Sequence, residues 1–135
     1  MKIATQFEFR SGKFPPYEGE EEKINPGLWG KRLAEYVKTK LAASGIATGE
    51  IVMEDWGCLL PVNNEAFALS VACGHQHGDE DEFLCFIEPS APVIRKWFKR
   101  IDTTQDVGQL SQALEKIFRA DSDIRELRCS TADER

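Results

Sequence analysis

Cys73-Gly74-His75-Gln76-His77-Gly78-Asp79 holds both histidines of the chain within three residues of each other. If a strand runs on through this stretch, Cys73, His75 and His77 project from one face, because alternate residues of a strand share a side. A thiolate with two imidazoles is a ligand set for zinc or another transition metal. Asp79 is the nearest further ligand. Against that reading, Gly74 and Gly78 mark a strand end, and two histidines in a polar hairpin loop are ordinary surface residues. On the first reading the chain is a small metal-binding protein or enzyme built on Cys73, His75 and His77, with zinc as cofactor. On the second it needs no cofactor.

Two charged groups come next. Asp79-Glu80-Asp81-Glu82 clusters carboxylates, but without the alternating ligands, glycine and distal Glu of a calcium loop. It reads as a solvated tip or as contact residues for a basic partner. Arg95, Lys96, Lys99 and Arg100 fall on one side of an expected helix and could receive an acidic segment or anionic ligand. Glu54 and Asp55 are adjacent, so on a strand they face opposite ways and do not form a matched acid–base pair. There is no phosphate-binding glycine loop, no G-x-S-x-G elbow, no H-E-x-x-H and no dinucleotide fingerprint. A Cys–His nucleophilic pair is arithmetically open to Cys58, Cys73 or Cys85, but cysteines in apolar strands are generally inert. The sequence therefore leans away from an enzyme.

The elements that must position these residues centre on 46–89, which reads as four short strands joined by tight turns. The first is Ile51-Val52-Met53, closed by Glu54-Asp55-Trp56-Gly57. Cys58-Leu59-Leu60-Pro61-Val62 follows, with Pro61 placing it at an edge or a bulge because proline lacks a ladder N–H. Asn63-Asn64 suits the next turn. In 66–73, Phe67, Leu69, Val71 and Cys73 share one face, while Ala66, Ala68, Ser70 and Ala72 leave the other small enough for a second layer to come close. Phe83-Leu84-Cys85-Phe86-Ile87 is apolar throughout, the pattern of a strand covered on both sides.

Before this meander, Ile3, Thr5, Phe7 and Phe9 alternate with Lys2, Gln6, Glu8 and Arg10, predicting a half-buried strand. Residues 11–23, with Gly12, Pro15, Pro16, Gly19 and the acidic Glu20-Glu21-Glu22, predict a mobile loop. Asn25-Pro26 then starts a helix, with Trp29, Leu33, Val37 and Leu41 inward and Gly45 as left-handed cap. After the meander a second helix is expected over 90–101, burying Val93, Ile94, Trp97, Phe98 and Ile101. A third runs over 105–120, with Val107, Leu110, Leu114, Ile117 and Phe118 inward. Residues 124–129 read as a last short strand or an irregular extension. The order β-α-β-β-β-β-α-α-β predicts one α+β domain over 1–135, an antiparallel sheet of five to six strands with helices on one face.

A chain of 135 residues is one domain's worth and can bury a core without staples. No apolar run approaches the roughly 20 residues of a membrane helix, and the N-terminus alternates instead of forming a leader, so a cytoplasmic protein with no membrane partner is expected. The cysteines Cys58, Cys73, Cys85 and Cys129 show no C-x-x-C spacing and read as reduced, mostly buried thiols. A net charge of −6 argues against nucleic acid as a partner and is compatible with a basic protein.

Residues 49–58, G-E-I-V-M-E-D-W-G-C, resemble small bacterial domains that carry a strand ending in Glu-Asp-aromatic-Gly. Those domains have an amphipathic helix before that strand and a Trp-bearing helix after the meander, here near Trp97. Some similar stand-alone acidic α+β domains are immunity proteins that block a toxin. The resemblance implies a binding role and carries over no catalytic residues. Cys58 stands where another aromatic would be expected. The expectation is a non-enzymatic protein-interaction domain, monomeric or homodimeric, using the free sheet face or the acidic loops to hold a partner.

Overall fold

The computed structural model describes residues 3–23, 28–75 and 80–131. Its elements, in chain order, are β1 (Gln6–Arg10), α1 (Glu20–Lys23), α2 (Lys31–Ala43), β2 (Val52–Glu54), β3 (Gly57–Val62), β4 (Leu69–His75), β5 (Glu82–Glu88), β6 (Val93–Lys96), β7 (Lys99–Asp102), α3 (Thr104–Ala120) and β8 (Arg125–Ser130). Six strands form one antiparallel sheet in the order β2-β3-β4-β5-β1-β8, and β6-β7 form a separate hairpin. The expected α+β architecture with an antiparallel sheet is present. The two long helices and the sheet share one core.

The core follows from strand alternation. Phe7 and Phe9 of β1, Cys58, Leu60 and Val62 of β3, Leu69, Val71 and Cys73 of β4, and Phe83, Cys85 and Ile87 of β5 are all buried. The pairings Phe9↔Phe83, Phe7↔Cys85, Cys73↔Cys85 and Leu60↔Val71 put them on a single face. Helix α2 lays Leu33, Ala34, Val37 and Leu41 on that face. Helix α3 adds Val107, Leu110, Leu114, Ile117 and Phe118, the stripe predicted from spacing. Phe118 sits 4.9 Å from Phe9 and 5.7 Å from Phe7, centroid to centroid. Gly45 takes φ +85° after α2, the expected left-handed cap. Strand β8 joins the sheet by pairing with β1, across a register shift between Glu8 and Arg10.

Several expectations are corrected. The helix expected over 90–101 is the β6-β7 hairpin, with Ile94 paired to Ile101 and Trp97-Phe98 as its turn. The apolar positions fit a helical period, but Val93, Ile94 and Ile101 are β-branched, and four-residue strands are too short to display alternation. Only Ile94 and Ile101 pack on the core; Trp97 and Phe98 are 88% and 104% exposed. Arg95, Lys96, Lys99 and Arg100 therefore belong to a hairpin and not to a helix face.

Helix α2 begins at Lys31, so Trp29 precedes the helix, while Asn25 and Pro26 lie outside the described residues. Residues 11–23 are anchored instead of free. Phe14 is buried edge-on against Phe83 and Tyr36. Glu20 is also buried, and it replaces a local cap: its Oε2 accepts the N–H groups of Gly30 and Lys31, both at 2.9 Å, at the positive end of α2. Its Oε1 accepts the N–H of Tyr17 at 2.9 Å. Pro61 lies neither at an edge strand nor in a bulge. It sits on β3 past the point where the three-residue β2 has ended, and its carbonyl accepts the N–H of Gly49 at 2.8 Å.

Candidate functional site

The face of the sheet away from the helices carries the other alternation set. Val52, Leu59, Ala72, Phe86, Gln6 and Ser130 stand in one row across β2, β3, β4, β5, β1 and β8. The next row brings Gly74 beside Leu84 and Leu84 beside Glu8. No helix among the described residues covers this face. The small residues Ala72 and Gly74 form a low floor, and larger side chains stand around it. The result is a groove of about 780 Å³ lined by Leu28, Glu54, Trp56, Leu59, Gly74, His75, Leu84, Phe86 and Glu88.

Local chemistry explains how each wall is set. The two-residue turn Asp55-Trp56 closes the β2-β3 hairpin and holds the Trp56 indole 6.0 Å from the Phe86 ring. Gly57 follows because the chain passes hard against β4: a Cβ there would lie 2.5 Å from the Cys73 carbonyl oxygen. Gly30 is pressed against the same carbonyl. Phe86 and Leu84 are the outward positions of a strand whose inward ones are Phe83, Cys85 and Ile87. The all-apolar run predicts cover on both sides, but one side is the core and the other is the groove.

Electrostatically the lining offers two exposed carboxylates, Glu54 and Glu88, around apolar walls. Apolar walls with a few placed polar groups are the usual composition of a ligand-binding pocket.

Of the sequence-derived candidates, His75 lies at the groove lining, as do Glu54 and Trp56 of the 54–57 turn; the others fall elsewhere. Cys73 and His75 do share one face of β4, as strand continuation requires, but that face is the core. The Cys73 Sγ lies 3.7 Å from the Cys85 Sγ, and all four cysteines are free. The neighbouring Cys85 thiol and burial push the Cys73 thiol well above its ordinary range, and burial pushes Cys58 up to about 12. The His75 ring is stacked on Trp29, centroids 3.7 Å apart and planes 11° from parallel. His77 and Asp79 lie outside the described residues; among the described ones no three His, Cys, Asp or Glu side chains converge as a metal-holding group.

Asp81 and Glu82 hold strands together. Asp81 accepts from Arg10 at 2.8 Å and from Arg125 at 2.7 Å, and Glu82 accepts from Arg10 at 2.6 Å, tying β1, β5 and β8. The Arg125 and Arg10 guanidiniums hold the Asp81 carboxyl below its ordinary range. Glu80 is exposed beside them. Arg95, Lys96 and Lys99 are exposed on the β6-β7 hairpin and form no ion pair with a described residue. The groove itself was not singled out from the sequence, although Ala72 between apolar Leu59 and Phe86 is its trace.

Comparison with protein-family models, curated proteins and solved structures finds no match to this chain. Function is therefore argued from the groove and the charge around it. No helix among the described residues is long and apolar enough to cross a membrane.

Proposed function

We propose that this domain is a protein-binding module whose groove takes an apolar or aromatic side chain carried between Lys or Arg residues. The observation that carries the reading is the groove itself: Trp56, Leu59, Leu84 and Phe86 around a small-residue floor, with Glu54 and Glu88 in its lining. The net charge of −6 supports a basic partner by long-range attraction. An immunity-like role, with a basic toxin as partner, is the concrete form that the resemblance of residues 49–58 suggests.

The test is a titration of the protein with short fluorescent peptides bearing one Trp or Phe between two basic residues. Wild type should bind them with an affinity that falls as salt is raised. The doubly substituted Glu54→Lys/Glu88→Lys variant should bind at least about tenfold more weakly, the effect of losing two exposed ion pairs and placing repulsion in their stead. Equal binding by both proteins would overturn the reading.

A further inference from the structure

The β6-β7 hairpin is built to project. Its base is fixed: Ile94 and Ile101 pack on the core, the Thr103 hydroxyl donates to the Ala91 carbonyl at 2.6 Å, and the Thr103 N–H donates to the Pro92 carbonyl at 2.9 Å. Its tip goes against what an isolated hairpin prefers. Two-residue turns favour Asn or Gly, because they require positive φ. Here Trp97 adopts φ +61° and Phe98 follows, and both rings stand almost wholly in solvent. Behind them Lys96 faces Lys99 and Arg95 faces Arg100, so like charges are paired across the strands. Arg100 is drawn toward Asp102 at the hairpin base, while Arg95, Lys96 and Lys99 form no ion pair with a described residue. Exposed aromatic rings beside such cations are the composition of a binding hot spot without its partner.

The chain also carries what such a tip would bind. Residues 93–102 hold four cations and one carboxylate, Asp102, a charge of +3; with −6 for the whole chain, the remainder carries −9. That acidic body bears the groove, apolar inside and lined by Glu54 and Glu88. A polyanion such as nucleic acid or an anionic bilayer would attract the tip but repel the body behind it. A second copy presents apolar walls and carboxylates together. We infer that the Trp97–Phe98 tip of one copy seats in the groove of another, with Arg95, Lys96, Lys99 and Arg100 against the acidic surface around it. The inference rests on the reading of the groove as a protein-binding site and names the segment that fills it. The same contact made in both directions closes a dimer; made in one direction it propagates head to tail.

Sedimentation equilibrium of the full chain over a concentration series, at low and at raised salt, tests this. Wild type should self-associate, and the association should weaken as salt rises. Trp97→Ser/Phe98→Ser alters only exposed side chains and should raise the self-dissociation constant about a hundredfold, the effect of removing two hot-spot aromatics. Glu54→Lys/Glu88→Lys, also exposed positions, should do the same. Mixing the two variants should recover a one-sided complex, because one retains an intact groove and the other an intact tip. A wild type that stays monomeric throughout, or self-association indifferent to both variants, would overturn the inference. So would a monomer whose tip binds anionic vesicles or single-stranded nucleic acid. If the basic aromatic peptides enter the groove while the full chain stays monomeric, the groove reading stands and only its self-filling falls; if neither binds, both fall.

Discussion

The indole of Trp29 lies flat on the imidazole of His75, with ring centroids 3.7 Å apart and planes 11° from parallel. The contact is reinforced on both sides. The Trp29 Nε1–H donates to the Phe14 carbonyl at 2.9 Å, and the His75 N–H donates to the Trp29 carbonyl at 2.6 Å. One stacked pair thus fastens the segment before α2, the segment after β1 and the end of β4. Trp29→Ala should cost about 3–5 kcal/mol, the range for deleting a large buried ring. Trp29→Phe should keep most of the packing and lose about 1 kcal/mol with the hydrogen bond. Urea unfolding of both variants decides; a loss in the alanine variant no larger than in the phenylalanine one would show that the stack does not hold the core.

Glu20 is the distant cap of α2, and its carboxylate meets N–H groups at the positive end of the helix. Glu20→Ala should lower stability by about 1.5–3 kcal/mol, as charged hydrogen bonds at a buried site do. Glu20→Gln, which keeps the shape but loses the charge, should fall between it and wild type. Glu18→Ala, at an exposed position two residues earlier, serves as the control. Equal stabilities for the variants at 20 and 18 would contradict the capping role.

Asp121 gives the fold an acid-side dependence. Its Oδ2 accepts from the Lys13 ammonium at 2.6 Å and from the Tyr36 hydroxyl at 2.7 Å. The Lys13 hydrogen bond leads in holding the carboxyl down to about 2. Because the folded value lies below the unfolded one, the contribution is fully present above about pH 4 and is lost as pH falls toward 2. Asp121→Asn should therefore be less stable than wild type at neutral pH, by on the order of 1 kcal/mol after solvent screening of the partly exposed Lys13. The gap should close in acid. Thermal melts of both proteins between neutral and pH 2 measure it, and a constant gap would sink the assignment.

The cysteines make a row across the core face: Cys58 beside Cys73, Cys73 beside Cys85, then Phe7, then Cys129. Burial leads in raising the Cys58 and Cys129 thiols, and the Cys85 neighbour leads for Cys73. Only Cys129 is partly exposed. A thiol-specific reagent should modify Cys129 first in the native protein and reach the three buried thiols at the rate of unfolding. Rapid modification of Cys73 in the native state would contradict its place in the core.

Much of this architecture was legible residue by residue. The α3 stripe of Val107, Leu110, Leu114, Ile117 and Phe118 is a long periodic signal, and the alternation of β1 and the small face of β4 are equally plain. What escaped depends on contacts remote in sequence. The cap of α2 comes from Glu20, eleven residues before Lys31, and no local pattern records it. Trp29 continues the α2 stripe in spacing but is claimed by His75 from another strand. The 93–102 hairpin mimics a helical period because its strands are short. The groove was hidden inside 83–87, where a core face and a binding face are both apolar and only topology separates them.

Leu59, Leu84, Phe86 and Trp56 line the groove proposed to bind. A two-dimensional amide NMR titration of isotopically labelled protein with a peptide carrying a single Trp between arginines tests it most directly. Binding in the groove should give shifts confined to its strands, at Leu59, Ala72, Gly74, Leu84 and Phe86, with the Trp56 indole N–H moving alongside them. Shifts centred on the helix side of the sheet, or none at peptide concentrations that saturate other basic-peptide sites, would contradict it.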